Sequence, residues 1–318
     1  MIIYATGFVA YNFYGGNMKY KEWLSEWLYT CVKPFVKVRT YEKYERIVRR
    51  NLSPVLGEYE LEALSGIVLQ KYVGRLVEEY SANTVGGIIS VLKCSLKQAV
   101  KMGLVKLQHA DCIMRPKIQE KKIESFTVDE QKKIEQYIVN NEKIKLIGIL
   151  ICLYTGLRIG ELMALEWDDI DFIGGFIQVN KSCHDGWGKS GYQKIIERPK
   201  TSNSQRIIPI PKTLMPYIRK LKKHNIGNFI LEINGKLLSI RAYQRTFELL
   251  LKKLNIPHRG FHSLRHTFAT RALECGMDVK TLSEILGHRN PSITLSRYAH
   301  SLMEHKCAMM NKLGKNLQ

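Results

Sequence analysis

FHSLRHTFATRALECGMDVKTLSEILGHRNPSITLSRYAH, residues 261–300, carries more of this chain's character than any other segment. Its apolar positions predict helical segments broken at Gly276 and Gly287, because glycine readily takes the left-handed conformation that closes a helix. Asp278 stands where a helix N-cap belongs, and Gly287 ends the helix that it opens. Four polar residues interrupt the pattern. His262 and Arg265 are three apart, which places them on one helix face. His288 follows Gly287, and Tyr298 comes ten residues later, between Arg297 and His300. Singly, each has a plainer explanation: a solvated basic face, a helix cap, a half-buried tyrosine.

Upstream, LIGILICL (146–153) is far shorter than the ~18 apolar residues of a membrane span and predicts a buried core helix. It runs into the turn Thr155-Gly156-Leu157-Arg158, after which Ile159, Leu162 and Leu165 have core spacing. Arg158 alone would be a surface capping arginine. Thr127-Val-Asp-Glu130 has the form of a capping box and opens this half of the chain. Strands are predicted at Phe172–Val179, Gln193–Arg198 and Arg206–Pro209, joined by loops rich in Gly, Lys and Ser. Helices are predicted over Lys212–Lys223 and Ile240–Leu254. The fold class is α+β, mostly helical with a small antiparallel sheet.

The first third predicts helices only. Tyr20, Trp23, Leu24, Trp27 and Leu28 share a face; a helix from Thr40 to Arg50 stops at Ser53-Pro54; a third carries Ile67, Val68, Tyr72, Leu76 and Val77; Ser81 caps a fourth that closes at Gly103. The domains expected are an extension at 1–17, a helical domain at 18–104, a linker at 105–123 marked by the weakly periodic DCIMRPKIQEKKIE, a mixed domain at 124–311 and a tail at 312–318.

The 318 residues hold 49 Lys+Arg against 29 Asp+Glu, a net charge of +20. Residues 1–120 contribute 17 − 11 = +6 and residues 121–318 contribute 32 − 18 = +14. Both parts being basic suits a protein that grips one polyanion with two modules. Without a membrane span, that polyanion is nucleic acid and not lipid. Seven scattered cysteines without a CxxC predict a reducing, cytoplasmic setting, and the N-terminus lacks the basic start of a signal peptide.

Familiar cofactor motifs fail on inspection. Gly188-Lys189-Ser190 lacks the earlier glycine of a phosphate-binding loop, since Cys183 stands there; His262 and His266 lack the glutamate of a zinc-protease helix. No cofactor and no metal is expected. What remains meets one chemical demand. Breaking a phosphodiester without metal takes cations on the non-bridging oxygens, a nucleophile and a proton donor for the leaving oxygen. Arginines fork onto phosphate at any working pH, a histidine can take the proton of a tyrosine, and a phosphotyrosine stores the bond energy.

TGLRIGELMALEWDDID (155–171), RPKTSNSQRIIPIP (198–211) and the opening segment together resemble the tyrosine recombinases, or phage-type integrases. The likeness covers about residues 124–311 in the correct order, and the helical domain before it resembles the family's core-binding domain. The resemblance implies a site-specific DNA recombinase acting through a 3′-phosphotyrosine. It implies Arg158 and Arg265 on the phosphate, Lys200 as general acid for the 5′-oxygen, His262 as proton acceptor and phosphate ligand, His288 on the phosphate and Tyr298 as nucleophile, with Glu161 supporting the first arginine. Double-stranded DNA at a specific crossover site is the implied partner, with four protomers in the synapse and room for an accessory DNA-bending or directionality factor. Integration or excision of a mobile element is the implied task. Seventeen residues are too few for the arm-binding domain that many such integrases carry, so either a simple two-domain recombinase or a version lacking the arm-binding module is expected. Two other readings compete: a non-catalytic helix-turn-helix regulator, which would share the net charge, and a type IB topoisomerase, which uses the same chemistry.

Overall fold

The computed structural model describes residues 18–106, 109–117, 125–141, 143–188, 191–197, 205–225, 227–233, 236–288 and 290–292, and near the C-terminus residues 307, 310, 311, 313 and 314. The chain divides into two compact units, Met1–Lys121 and Lys122–Gln318.

In the first unit α1 (Tyr20–Glu26) runs on through a wider π turn, Trp27–Val32. α2 (Val38–Ile47) likewise continues through a second π turn, Val48–Leu52, into α3 (Ser53–Leu56). The helix thus begins two residues before Thr40, with Lys37 at its N-cap, and helical backbone passes through Ser53-Pro54 instead of stopping. Pro54 sits in the first turn of α3, directly after the π turn that closes with the Ser53 amide donating to Val48 O. α4 (Gly66–Glu79) and α5 (Ala82–Lys101) are capped by the hydroxyls of Ser65 and Ser81, which accept from the amides of Val68 and Thr84. α4 buries Tyr72 and Leu76 as predicted, with Val68 packed against the core, but its stripe continues through Leu69 and Val73, while Ile67 and Val77 are exposed. The 69–72–73–76 spacing keeps four side chains on one face, which the predicted set does not. Trp23, Trp27 and Tyr20 fill the core; Tyr20 Oη is 2.7 Å from Ser95 Oγ, and Trp23 Nε1 donates to Ser95 O at 3.0 Å. The start of the predicted linker packs on this bundle: Val105 and Ile113 are buried, and the Met114 amide donates to Gln70 Oε1.

The second unit opens with α6 (Val128–Asn140). Its capping box is reciprocal, Glu130 N to Thr127 Oγ1 at 3.2 Å and Thr127 N to Glu130 Oε2 at 2.9 Å. α7 (Ile147–Thr155) is buried at nearly every position, as an apolar run without a polar face must be. α8 (Ile159–Met163) follows, then β1 (Ile170–Asp171) and β2 (Phe176–Val179). The strand predicted from Phe172 starts only at Phe176, because Asp171 Oδ1 accepts the amides of Ile173 and Gly174 and folds 172–175 into a turn. β3 (Ser182–Gly188) and β4 (Gly191–Glu197) form a hairpin. β3 occupies a segment whose composition predicts a loop; cross-strand pairing with the β-branched residues of β4 overrides that composition. β5 (Arg206–Pro209) completes an antiparallel sheet of order β1-β2-β5, in which Ile177 pairs with Ile208.

Then come α9 (Met215–His224), the short pair β6 (Glu232–Ile233) and β7 (Lys236–Leu237), α10 (Ile240–Lys253), α11 (Ser263–Glu274) and α12 (Val279–Leu286). α11 lies along α7, and α12 meets β5. These contacts bring the Thr155–Arg158 turn, the start of β5 and the end of α12 together. Among the described residues no helix is long and apolar enough to cross a membrane.

Candidate active site

Two helices end at the site, α7 at Gly156 (φ 67°) and α12 at Gly287 (φ 64°), both left-handed. At Gly156 packing demands glycine as well, since a Cβ there would stand 2.5 Å from Phe268 Cδ1. The last carbonyls of a helix have no amide of their own helix to accept from, and three arginines from separate segments take those at these two ends. Arg265, on α11, donates Nη1 to Gly156 O at 2.9 Å and Nη2 to Leu286 O at 2.6 Å. Arg158, at the N-cap of α8, donates Nη2 to Gly287 O at 3.4 Å. Arg206, the first residue of β5, donates Nε to Ile285 O. Cations are favoured at helix C-termini by the same charge distribution that leaves those carbonyls negative.

Glu161 joins two of the arginines. It accepts from Arg158 through the backbone amide at 2.9 Å and Nη1 at 2.8 Å, and from Arg206 through Nη1 at 3.0 Å and Nη2 at 2.8 Å. The Glu161 and Arg206 side chains are 6% and 5% exposed, so the ion pair is buried. Burial pushes the carboxyl upward, but the hydrogen bonds and charge of Arg206, followed by the charge and amide of Arg158, outweigh it and hold Glu161 at about 2, below its ordinary 4.5. A carboxyl lowered in the folded state stabilises the fold above its unfolded value, and that stability is lost as pH falls toward the folded one. The Glu161 contribution, on the order of 3 kcal/mol at neutral pH, is therefore expected to disappear between about pH 4.5 and pH 2. Melting curves of the wild type and Glu161→Gln across that range test this: the gap between them should close as the solution becomes acidic.

Three guanidiniums against one carboxylate leave two positive charges in excess, a complement for a phosphate diester and its neighbours. Arg158 is the arginine that reaches solvent, with its side chain 37% exposed, whereas Arg265 is 2% exposed. His262 occupies the N-cap position of α11 and is exposed, its ring edge-on to His266 with centroids 4.5 Å apart. His262 and Arg265 thus do not share a solvent face: the histidine precedes the helix, while the arginine in the first turn is drawn inward by two carbonyls. The half-buried His288 donates its amide to Ser283 O at 3.0 Å and so continues the cap of α12. Lys200 and Tyr298 lie outside the described residues.

Of the six predicted site residues, the structure brings Arg158, Arg265 and His288 to the end of α12, while His262 stands one turn before Arg265. Arg206 belongs to the same cluster, although its sequence context marks it only as the start of a strand. Its signal lay elsewhere, in Glu161: a carboxylate within the apolar run GELMAL needs a buried cation to accompany it.

The Phage integrase family model matches residues 124–305, and the model of the phage integrase N-terminal SAM-like domain matches residues 19–77. A tyrosine recombinase XerC-like protein of Caldanaerobacter subterraneus subsp. tengcongensis is 31% identical over 319 residues, covering 91% of this chain and 81% of that protein. The ICEBs1 integrase of Bacillus subtilis is 25% identical, covering 87% and 78%. Among solved structures, the Tn1549 transposon integrase in complex with a circular intermediate DNA aligns with a TM-score of 0.78 at 25% identity, covering 93% of this chain and 99% of that one. The chain belongs to the phage integrase family, whose members are the tyrosine recombinases. It is a tyrosine site-specific recombinase.

Proposed function

We propose that this recombinase cuts and rejoins double-stranded DNA at a specific crossover site with the six residues that the sequence singles out. Arg158 and Arg265 neutralise the non-bridging oxygens of the scissile phosphate, and His288 donates to it. The Tyr298 hydroxyl attacks phosphorus, its proton passing to His262. The bond from phosphorus to the 5′-oxygen breaks, and the Lys200 ammonium protonates that oxygen. The products are a 3′-phosphotyrosine and a free 5′-hydroxyl, and the reverse attack by another strand's 5′-hydroxyl reseals the backbone. Residues 18–104 serve as the core-binding domain and 124–311 as the catalytic domain. Four protomers assemble the synapse. The mobile-element integrases among the relatives favour integration or excision as the task.

One observation carries this reading. Arg158 and Arg265, 107 positions apart, donate to the carbonyls of the adjacent residues Gly287 and Leu286, immediately before His288. Two arginines from distant segments are thereby tied to the backbone immediately before His288, which draws three of the proposed phosphate ligands to the end of α12.

A nicked duplex carrying the crossover sequence tests the proposal in excess chelator. The wild type should become covalently trapped on the DNA, and Tyr298→Phe should bind the same duplex without forming the adduct. Binding without an adduct in the wild type would support the helix-turn-helix regulator instead. Relaxation of a plasmid lacking any crossover site would support the topoisomerase.

A further inference from the structure

We propose that Arg206 is a positioning residue for strand cleavage: it occupies Glu161 so that the Arg158 guanidinium stays available to the phosphate, and it locks the end of α12 to β5. The inference rests on the roles proposed above for Arg158 and Tyr298.

Glu161 is shared by two cations. With Arg158 as its only cation, a buried carboxylate would form a closed pair, and the guanidinium would have little attraction left for an incoming phosphate. Arg206 changes that balance. Its Nη1 and Nη2 reach the two carboxylate oxygens separately, at 3.0 and 2.8 Å, in the forked arrangement that arginine forms with carboxylates. Arg158 touches the same carboxylate through Nη1 and through its backbone amide, and its Nη2 is turned instead toward Gly287 O. The two arginines also differ in access. Arg206 is 5% exposed at its side chain and is committed to the protein; Arg158 is 37% exposed and faces outward.

The Nε of Arg206 gives it a second task. This nitrogen donates to Ile285 O, one residue before the carbonyl that Arg265 holds and two before the one that Arg158 holds. Three successive carbonyls, of Ile285, Leu286 and Gly287, are thus each held by a different guanidinium. The Arg206 side chain also lies against Gly287, its Cδ and Nη1 3.1 Å from where a Cβ would be. Arg206 is the first residue of β5, six positions after Lys200, and the carbonyls it helps to hold directly precede His288. The residue therefore links the strand that follows the general acid, the acidic support of the first clamp arginine and the helix end that leads to the nucleophile. It contacts neither substrate nor reacting atoms in this scheme and acts through Glu161 and α12.

The test measures single-turnover cleavage of the nicked duplex at saturating protein, with binding of the uncut duplex and thermal melting followed in parallel. Arg206→Gln leaves Glu161 unneutralised except by Arg158. It should cleave roughly 10- to 100-fold more slowly, the scale seen when the outer partner of a charged ligand is removed in metal sites, with duplex binding near that of the wild type. The deciding variant is the double substitution Glu161→Gln with Arg206→Gln, which removes the competing carboxylate together with its cation. It should cleave at least about threefold faster than Arg206→Gln alone, since Arg158 is no longer captured. A residue that only supported the fold would give the opposite order, the double variant cleaving no faster than the single one. Arg206→Lys keeps the charge without the fork; it should fall between wild type and Arg206→Gln, and with its own Glu161→Gln partner it supplies the same comparison should Arg206→Gln not fold. Wild-type cleavage by Arg206→Gln, or a double variant no faster than the single, overturns the proposal. If the wild type itself forms no adduct, the fault lies in the roles of Tyr298 and Arg158, and the two failures are told apart by that control.

Discussion

Arg158→Ala should cut DNA roughly 10³–10⁵-fold more slowly than the wild type, the range for losing a cation that clamps a transferring phosphoryl group, and should melt at nearly the wild-type temperature. The Arg158 side chain is 37% exposed and its one carbonyl bond is long, at 3.4 Å. Its ion pair with Glu161 is seconded by Arg206, so the carboxylate keeps a forked partner when Arg158 is gone. Partly exposed pairs of this kind contribute about 0–1 kcal/mol. Single-turnover cleavage in chelator together with a melting curve measures both halves. A variant that cleaves normally would remove Arg158 from the site, and one that melts far below the wild type would show it to be a structural residue.

Arg265→Ala has the same expected loss of cleavage but a different cost to the fold. This side chain is 2% exposed and bonds two carbonyls, Gly156 O at 2.9 Å and Leu286 O at 2.6 Å, which belong to two different helix ends. Truncation leaves both without that donor, each at about 1–3 kcal/mol, and opens a cavity where one of the largest fully buried side chains stood. Destabilisation of roughly 3–5 kcal/mol follows, enough to consume much of the stability of an ordinary domain. The contrast between the two arginines is the useful quantity. Sequence assigns them equivalent roles on the phosphate; the structure makes one accessible and the other a tie between α7 and α12. Equal melting temperatures for the two variants would contradict that division.

How much was legible beforehand depends on the range of the interaction. The capping box at Thr127–Glu130, the serine cap at Ser81, the left-handed glycine at 287, the turn at 155–158 and the buried run 146–153 are all local, and each formed where predicted. The errors arose where a neighbour outside the local window decided. Pro54 does not end its helix, since the π turn before it runs directly into α3. β3 forms despite a loop-like composition, because β4 supplies its partner. Ile67 and Val77 face solvent, because the bundle takes the stripe through Leu69 and Val73 instead.

The candidate site divides in the same way. His262, Arg265, Gly287 and His288 stand in one short segment, and Arg158 in one recognisable turn, so residue type and order were enough to nominate them. Nothing in that order says that His262 is exposed and Arg265 buried, or that Glu161 and Arg206, 45 positions apart, share a buried fork. Chain order encodes local hydrogen bonding and apolar periodicity directly. Which unsatisfied carbonyl a distant guanidinium reaches depends on how two helix ends and a strand pack, and that is settled only when the core of the second unit closes around them.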